Sequence, residues 1–204
     1  MDPINTHSKS YVSEVRTPPK DTIGHTDEST FRNPVLETPR LILRSFTEND
    51  IPDIFDCCQN PNLGNNAGWK PHDSIQESKE ILHTVFMQEG IYAIELIESK
   101  RVIGSIGLID DPKRYNPSTK MIGYWLHETY WNQGLMTEAV TTIIQDGFSR
   151  LNLSLISANC YPHNQRSQAI LKKQGFIYEG IIHQAEEMYD GRIYDHLCYY
   201  LPKP

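Results

Sequence analysis

The sequence of 204 residues has no apolar run approaching the roughly 20 residues that a bilayer-spanning helix requires. It opens MDPINTHSKS, without the basic-then-apolar pattern of a secretory signal, so no membrane association and a cytoplasmic location are expected. Basic residues are in deficit, 19 Lys and Arg against 26 Asp and Glu, for a net charge of -7. Nucleic-acid binding needs a positive footprint and is therefore not expected, whereas a cationic small molecule or peptide would be drawn to such a surface. Cysteine is scarce: Cys57, Cys58, Cys160 and Cys198 include no C-x-x-C pair, and a bridge between the adjacent Cys57 and Cys58 would be strained. They read as reduced small hydrophobes. H-E-x-x-H is missing, since His127-Glu128 is followed by Thr, Tyr and Trp, and no metal is expected. G-x-S-x-G is missing too, which removes a hydrolase reading of Asp195-His196.

What is present suffices for one packed domain: 38% of residues are hydrophobic and 22% charged. Residues 1–34 hold seven apolar side chains against four prolines and nine charges, too little to offset the entropy of ordering, and are expected to be a disordered tail. From residue 35 the pattern is regular. Residues 40–46 read as a strand, and Thr47 with Asp50 three residues on marks a helix start. A helix is expected over 74–88, with Ile75, Leu82, Val85 and Phe86 on one face. Strands at 91–98 and 101–110 flank a Ser99-Lys100 turn, and a further strand covers 120–127. A long amphipathic helix opens at Gly134, with Ala139, Val140, Ile143, Ile144, Phe148 and Leu151 spaced three to four apart. Strand 153–160, helix 165–174 closed by Gly175, and strands 176–183 and 193–201 complete the chain. Residues 60–73 are left as a loop. The order β-α-α-β-β-β-α-β-α-β-β implies a mixed sheet with helices on both faces.

Two segments carry chemistry. In IGYWLHETYWNQGLMTEAVTTII (residues 122–144) a strand turns through Asn132, Gln133 and Gly134 straight into a helix. The unpaired N–H groups and positive dipole end of that helix make an anion site, phosphate or pyrophosphate being the usual guest. In ANCYPHNQRSQAILKKQGFIYEG (residues 158–180) a strand is followed by Asn164, by Ser167 three residues later, and by a helix.

With both segments in order, and with LETPRLILRSFTENDI before them and HNQRSQAILKKQGFIYEGIIHQAE at the end, residues 36–201 resemble the GNAT superfamily of acetyl-CoA-dependent N-acetyltransferases. Within it the chain is similar to the RimJ/RimL branch, which acetylates ribosomal-protein N-termini. The resemblance implies an α/β (α+β) fold: a mixed, mostly antiparallel seven-stranded sheet with helices on both faces and a cofactor cleft where two central strands splay. It implies acetyl-CoA as acetyl donor, an amine as acceptor and no metal, and leaves the assembly open between monomer and homodimer. The superfamily's Q-x-x-G-x-[GA] turn falls on residues 131–136, so the backbone of Gln133, Gly134, Leu135, Met136 and Thr137 would hold the pyrophosphate. The main chain of residues 123–127, including Trp125, Leu126 and His127, would pair with pantetheine. Asn164 matches a cofactor-contacting asparagine, Ser167 the serine that protonates the leaving thiolate, and Glu186 a carboxylate that receives the amine's proton. Trp131 and Met136 depart from the superfamily's polar and small residues, and Leu171 stands where many members carry a tyrosine acid.

Simpler readings stand beside these. Asn164 is a favoured helix cap, Glu186 and Glu187 could be a solvated pair in a hairpin, and Trp69, Trp125 and Trp131 could fill the core. The chemistry needs little machinery, because a thioester is already activated and the protein mainly positions an amine. At neutral pH an α-amine of pKa about 8 is neutral roughly a tenth of the time, a lysine far less. A protein or peptide N-terminus is thus the expected acceptor. A polyamine or aminoglycoside, or a non-catalytic acyl-CoA-binding module, are the alternatives.

Overall fold

The computed structural model describes residues 33–204, so the tail expected over residues 1–34 lies, apart from its last two residues, outside the described residues. The elements are β1 (Leu36–Glu37), β2 (Leu41–Arg44), a 3-10 turn (Glu48–Asp50) entering α1 (Ile51–Cys58), α2 (Pro61–Ala67), and α3 (Ile75–Ile81) with a π turn (Leu82–Phe86). They continue as β3 (Ile91–Leu96), β4 (Val102–Ile109), β5 (Thr119–Leu126), a 3-10 turn (Glu128–Tyr130), α4 (Leu135–Ser149), β6 (Leu155–Cys160), α5 (Gln165–Lys173), β7 (Ile177–Glu187) and β8 (Ile193–Pro202). All strands join one sheet in the order β1-β2-β3-β4-β5-β6-β8-β7, antiparallel except between β5 and β6.

Among the described residues eight strands rather than seven form the sheet. The additional one is β1, whose two residues pair with Leu43 and Ile42 and are too short to leave a periodicity in the sequence. The expected loop over residues 60–73 also contains α2. Its signals are local: the Asn60 side chain accepts from Asn62 N at 2.8 Å, Pro61 takes the first position, and Gly68 ends the helix at φ 91°. Between them stand Gly64 and three asparagines, weak helix formers that hid it. The Thr47 signal is confirmed: Asp50 accepts the Thr47 N–H at 2.8 Å. On the next helix Leu82 and Phe86 are buried, but Ile75 and Val85 are exposed. Ile75 sits at the first helical position, and the widened π turn carries Val85 outward.

Alternation along the strands feeds two cores, one on each face. Ala93, Val102 and Trp125 face one, joined by Ile54, Cys57 and Cys58 of α1 and by Leu82 and Phe86. Their neighbours Ile94, Ile103 and Leu126 face the other, under Ala139, Val140, Ile143 and Ile144 of α4. All four cysteines are free and buried. Burial pushes the Cys58 thiol up to about 12 and the Cys160 thiol to about 11, which leaves both unreactive.

The feature that makes a site is the divergence of β5 from β6. Their parallel ladder runs from Thr119–Leu155 to Ile122–Ala158 and stops. Beyond it Tyr124–Leu126 stay paired with β4, while Asn159 and Cys160 stay with β8. Each strand is held by its antiparallel neighbour, so the two part, and among the described residues the facing edge of residues 123–126 has no strand partner.

Candidate active site

The split opens a cleft of about 420 Å³, walled by β5 and by the N-terminal turns of α4 and α5, with Leu63, Asn66 and Ala67 of α2 on a third side. Gly134 precedes α4 at φ 77°, in the left-handed region that glycine tolerates, and Asn132 is left-handed too. Gly134 offers no side chain to cap the helix, so the first-turn N–H groups of Leu135, Met136 and Thr137 remain open to a guest. A Cβ built on Gly134 would meet only Arg40 Nη2, at 3.6 Å. Arg40 is pinned there by Glu138 at 2.7 Å and donates to the Gln133 carbonyl at 3.0 Å. The cradle thus has an open backbone, a positive helix end and a nearby guanidinium, which fits a pyrophosphate.

Of the residues singled out in the sequence, Trp125, Leu126, Gly134, Leu135, Met136, Thr137, Asn164 and Ser167 line this cleft. His127 and Gln133 are not brought into it. The His127 N–H is taken by Ile103 O at 2.8 Å on the β4 side, and its ring caps the following turn through Thr129 N at 3.2 Å. The Gln133 side chain folds back onto Thr129 O at 2.9 Å. Trp131, the departure from the polar pattern, ties the turn to β5 by donating from Nε1 to Leu126 O at 2.6 Å. Arg166 lies over its ring at 3.8 Å. Leu171 is fully buried in the core and brings no hydroxyl to the cleft. Asn164 does cap α5, accepting from Ser167 N at 3.1 Å while its amide donates to Asn66 O at 3.1 Å. The cap reading is therefore right, and the residue still borders the cleft.

A second cavity, of about 220 Å³, adjoins the first, and Asn66, Tyr124, Asn164 and Ser167 line both. On this shared wall Tyr124 Oη and Ser167 Oγ are 2.8 Å apart. Burial pushes the Tyr124 phenol well above its usual range, the bond to Ser167 opposing the shift in part. Glu186 lies in the smaller cavity. It belongs to β7 rather than to a free hairpin loop, and a bulge between Ile182 and Glu186 re-aims the strand there. Its Oε2 accepts from His196 Nε2 at 2.9 Å and from Tyr161 Oη at 2.7 Å. The hydrogen bond from His196 holds the carboxyl below the usual range, and Tyr161 adds to this against the opposing effect of burial. Asp195 does not join His196; it bonds His183 Nδ1 at 2.9 Å instead.

Tyr124, Tyr161, His196 and α2 escaped the sequence reading. Tyr124 and Trp125 are adjacent on a strand and so point to opposite faces, a signal that was present in YWL. Nothing local links His196 to Glu186, which only the β7–β8 pairing brings together. Gly68 shows how closely α2 is fitted: a Cβ there would lie 2.5 Å from Tyr161 Oη and 3.3 Å from Glu186 Oε1, at φ 91°. Gly68→Ala is expected to cost about 2–3 kcal/mol from strain and clash and to lower kcat/KM by displacing Tyr161 and Glu186. Gly191→Ala, at φ 80° with nothing within 4 Å, carries strain alone and is the control. Thermal unfolding and steady-state rates of both variants check the difference.

Among the described residues no helix is long and apolar enough to cross a membrane, and no group of His, Cys, Asp or Glu is placed to hold a metal ion. The family model for the acetyltransferase (GNAT) domain matches residues 40–177. The chain is 34% identical over 177 residues to the uncharacterised N-acetyltransferase YoaA of Bacillus subtilis (strain 168), covering 84% of this chain and 98% of that one. It is 27% identical over 159 residues to the ribosomal-protein-serine acetyltransferase of Escherichia coli (strain K12), covering 74% and 87%. The crystal structure of a GNAT-family acetyltransferase from Bacillus anthracis superposes with a TM-score of 0.73 at 20% identity, over 83% of this chain and 98% of that one, a likeness of fold. An open helix N-terminus at a strand split and a match over most of the folded chain agree: the protein belongs to the GNAT acetyltransferase family, resembles its RimJ/RimL-like members, and is an acetyl-CoA-dependent N-acetyltransferase.

Proposed function

We propose that the protein acetylates the N-terminal α-amine of a protein or peptide, binding acetyl-CoA in the larger cleft and the amine in the smaller. The observation that carries the reading is the acceptor cavity itself: about 220 Å³, with Glu186 the one carboxylate in its lining among the described residues. That room and that single negative charge suit one terminal residue with one ammonium. A polyamine or an aminoglycoside carries several ammonium groups and would call for several carboxylates. The E. coli relative that acts on ribosomal proteins supports the same reading.

The cofactor, when bound, supplies an acetyl thioester already activated toward amines. The first-turn N–H groups of Leu135, Met136 and Thr137, with the dipole of α4, hold its negative charge. The unpaired edge of residues 123–126 offers backbone groups to its pantetheine arm, in the manner of an added strand. Glu186 attracts and orients the acceptor ammonium, which reacts once it has lost a proton to solvent. On acylation the nitrogen becomes strongly acidic, so that even a carboxylate of depressed pKa can accept the second proton. Ser167, hydrogen-bonded to Tyr124 on the wall common to both cavities, is positioned to protonate the departing sulfur.

Free-CoA release against N-terminal peptides, lysine peptides, polyamines and aminoglycosides is the test. Turnover on N-terminal peptides is expected, and turnover confined to polyamines or aminoglycosides would overturn the reading. Silence across the panel with acetyl-CoA still bound would favour an acyl-CoA-binding module. Because Glu186 is held below the ordinary carboxylate range, it stays ionised from about pH 6 to 9. The rise of kcat/KM with pH is therefore expected to follow the acceptor amine, of pKa about 8. Glu186→Gln should lower kcat/KM about tenfold, as loss of a partly buried ion contact would, and uniformly across that range. A loss concentrated at the acid end would instead make Glu186 the base that neutralises the amine before attack.

A further inference from the structure

The acceptor cavity is lined by an anion, Glu186, and by Asn159, whose side chain touches a cation outside the lining, Lys113. Lys113 lies in the loop between β4 and β5, its backbone N–H donating to Asp111 Oδ1 at 2.9 Å. The neighbouring acids are engaged elsewhere: Asp111 with Arg114 at 2.7 Å and with Ser157 Oγ at 2.6 Å, and Glu179 with Arg114. Among the described residues no carboxylate lies within ion-pair distance of Lys113. Its Nζ instead meets the Asn159 side chain: with that amide turned so that both of its ends are satisfied, Asn159 Oδ1 accepts from Lys113 Nζ at 2.5 Å and Nδ2 donates to Ala158 O at 3.1 Å. Asn159 and Glu186 line the same small cavity. The Lys113 charge is felt at Glu186, where it is one of the influences favouring the ionised carboxylate. The other polar groups facing Glu186 are His196 on β8 and Tyr161 at the end of β6, both already hydrogen-bonded to its Oε2.

An amide oxygen is a weak partner for an ammonium, and Lys113 is exposed, so a ligand carboxylate can displace or join Asn159 at little cost. We infer that Lys113 is a carboxylate subsite: the natural acceptor carries, close to the amine held by Glu186, an acidic group held by Lys113. This rests on the amine-acceptor reading above and narrows its substrate class. The shared chemistry is an amine and a carboxylate a few bonds apart. It can come from an acidic side chain within the first two residues of a peptide or from the α-carboxylate of a free amino acid. Lys113 makes and breaks no covalent bond; it selects by charge.

The test uses the full chain, saturating acetyl-CoA and matched acceptors, a carboxylate against its amide. Each rate is divided by the fraction of acceptor amine unprotonated at the assay pH, because amidating an α-carboxylate also lowers the amine's pKa. One arm compares amidated peptides headed Ser-Glu with those headed Ser-Gln, and the other compares free serine with serinamide. The wild type is expected to prefer the carboxylate member of one arm by about threefold to tenfold in kcat/KM, less at high salt, as a partly exposed ion contact should. The arm that shows the preference identifies the source of the carboxylate. In Lys113→Gln the ratio should fall to near one, and in Lys113→Glu it should invert. Each ratio is internal to one protein, so a change in folded fraction cancels. Equal rates in both arms, or a preference that survives Lys113→Gln, overturn the inference while leaving the acceptor reading intact. Failure of every peptide and amino acid overturns both.

Discussion

Gly134→Glu is expected to abolish acetyl-CoA binding in a protein that still folds. Two effects act at this position, and their sizes separate them. The first is conformational: Gly134 stands at φ 77°, and any residue with a Cβ pays about 1–2 kcal/mol to adopt it. The second is electrostatic. A built Cβ meets nothing closer than Arg40 Nη2 at 3.6 Å, so a glutamate has room and will turn its carboxylate toward Arg40 and the open N–H groups of α4. It then occupies the anion's place and repels the pyrophosphate. Losing two charge-assisted hydrogen bonds, at about 1.5–3 kcal/mol each, raises Kd by at least about a hundredfold before repulsion is counted. Gly134→Ala carries the strain without the charge and should cost no more than about tenfold. Calorimetry with acetyl-CoA, and the ligand-induced shift in Tm, measure both variants. If Gly134→Glu binds acetyl-CoA like the wild type, the turn before α4 is not the phosphate site.

Periodicity carried the sequence reading where an element packs one face on the sheet. The α4 stripe is the clearest case: Ala139, Val140, Ile143 and Ile144 are all buried as their spacing predicts. Leu151, placed on the same stripe, lies beyond the helix and is exposed, because periodicity does not mark where a helix stops. Residues 60–73 failed for the opposite reason. Besides its local end signals, their helix is held by contacts that no local pattern encodes: Asn60 and Asn62 donate to Glu128 at 2.7 and 3.1 Å, Asn65 O faces His163 Nε2 at 3.2 Å, and Asn65 Oδ1 accepts from Arg192 at 2.9 Å. The site divides in the same way. The turn into α4 could be read because it is contiguous in sequence. The smaller cavity is assembled from β5, β6, β7, β8 and α2, so Glu186 was singled out by resemblance while its hydrogen-bond partners Tyr161 and His196 were not. Leu171 supplies no phenol, while Tyr124 of β5 places one 2.8 Å from Ser167 Oγ.

The Tyr124–Ser167 contact leads to the second large effect. Ser167→Ala is expected to lower kcat by about a hundredfold, the lower end for a general acid, with little change in acetyl-CoA affinity. If Ser167 gives its proton to the sulfur and is resupplied by Tyr124 across the 2.8 Å contact, the two act in series. Tyr124→Phe should then cost nearly as much as Ser167→Ala, and the double variant no more than the larger single loss. Independent donors would give costs that add. The raised phenol pKa fixes the pH behaviour: a Tyr124 displaced upward by burial keeps its proton beyond pH 10, so the wild type should show no alkaline fall from this group below that value. Removing a buried hydroxyl also costs about 1 kcal/mol of stability, so rates must be taken per folded enzyme. An unchanged kcat in Ser167→Ala would mean that the thiolate leaves without help from the protein. The Tyr124–Ser167 bond would then be a strut that fastens the start of α5 to β5 and keeps the two cavities in register.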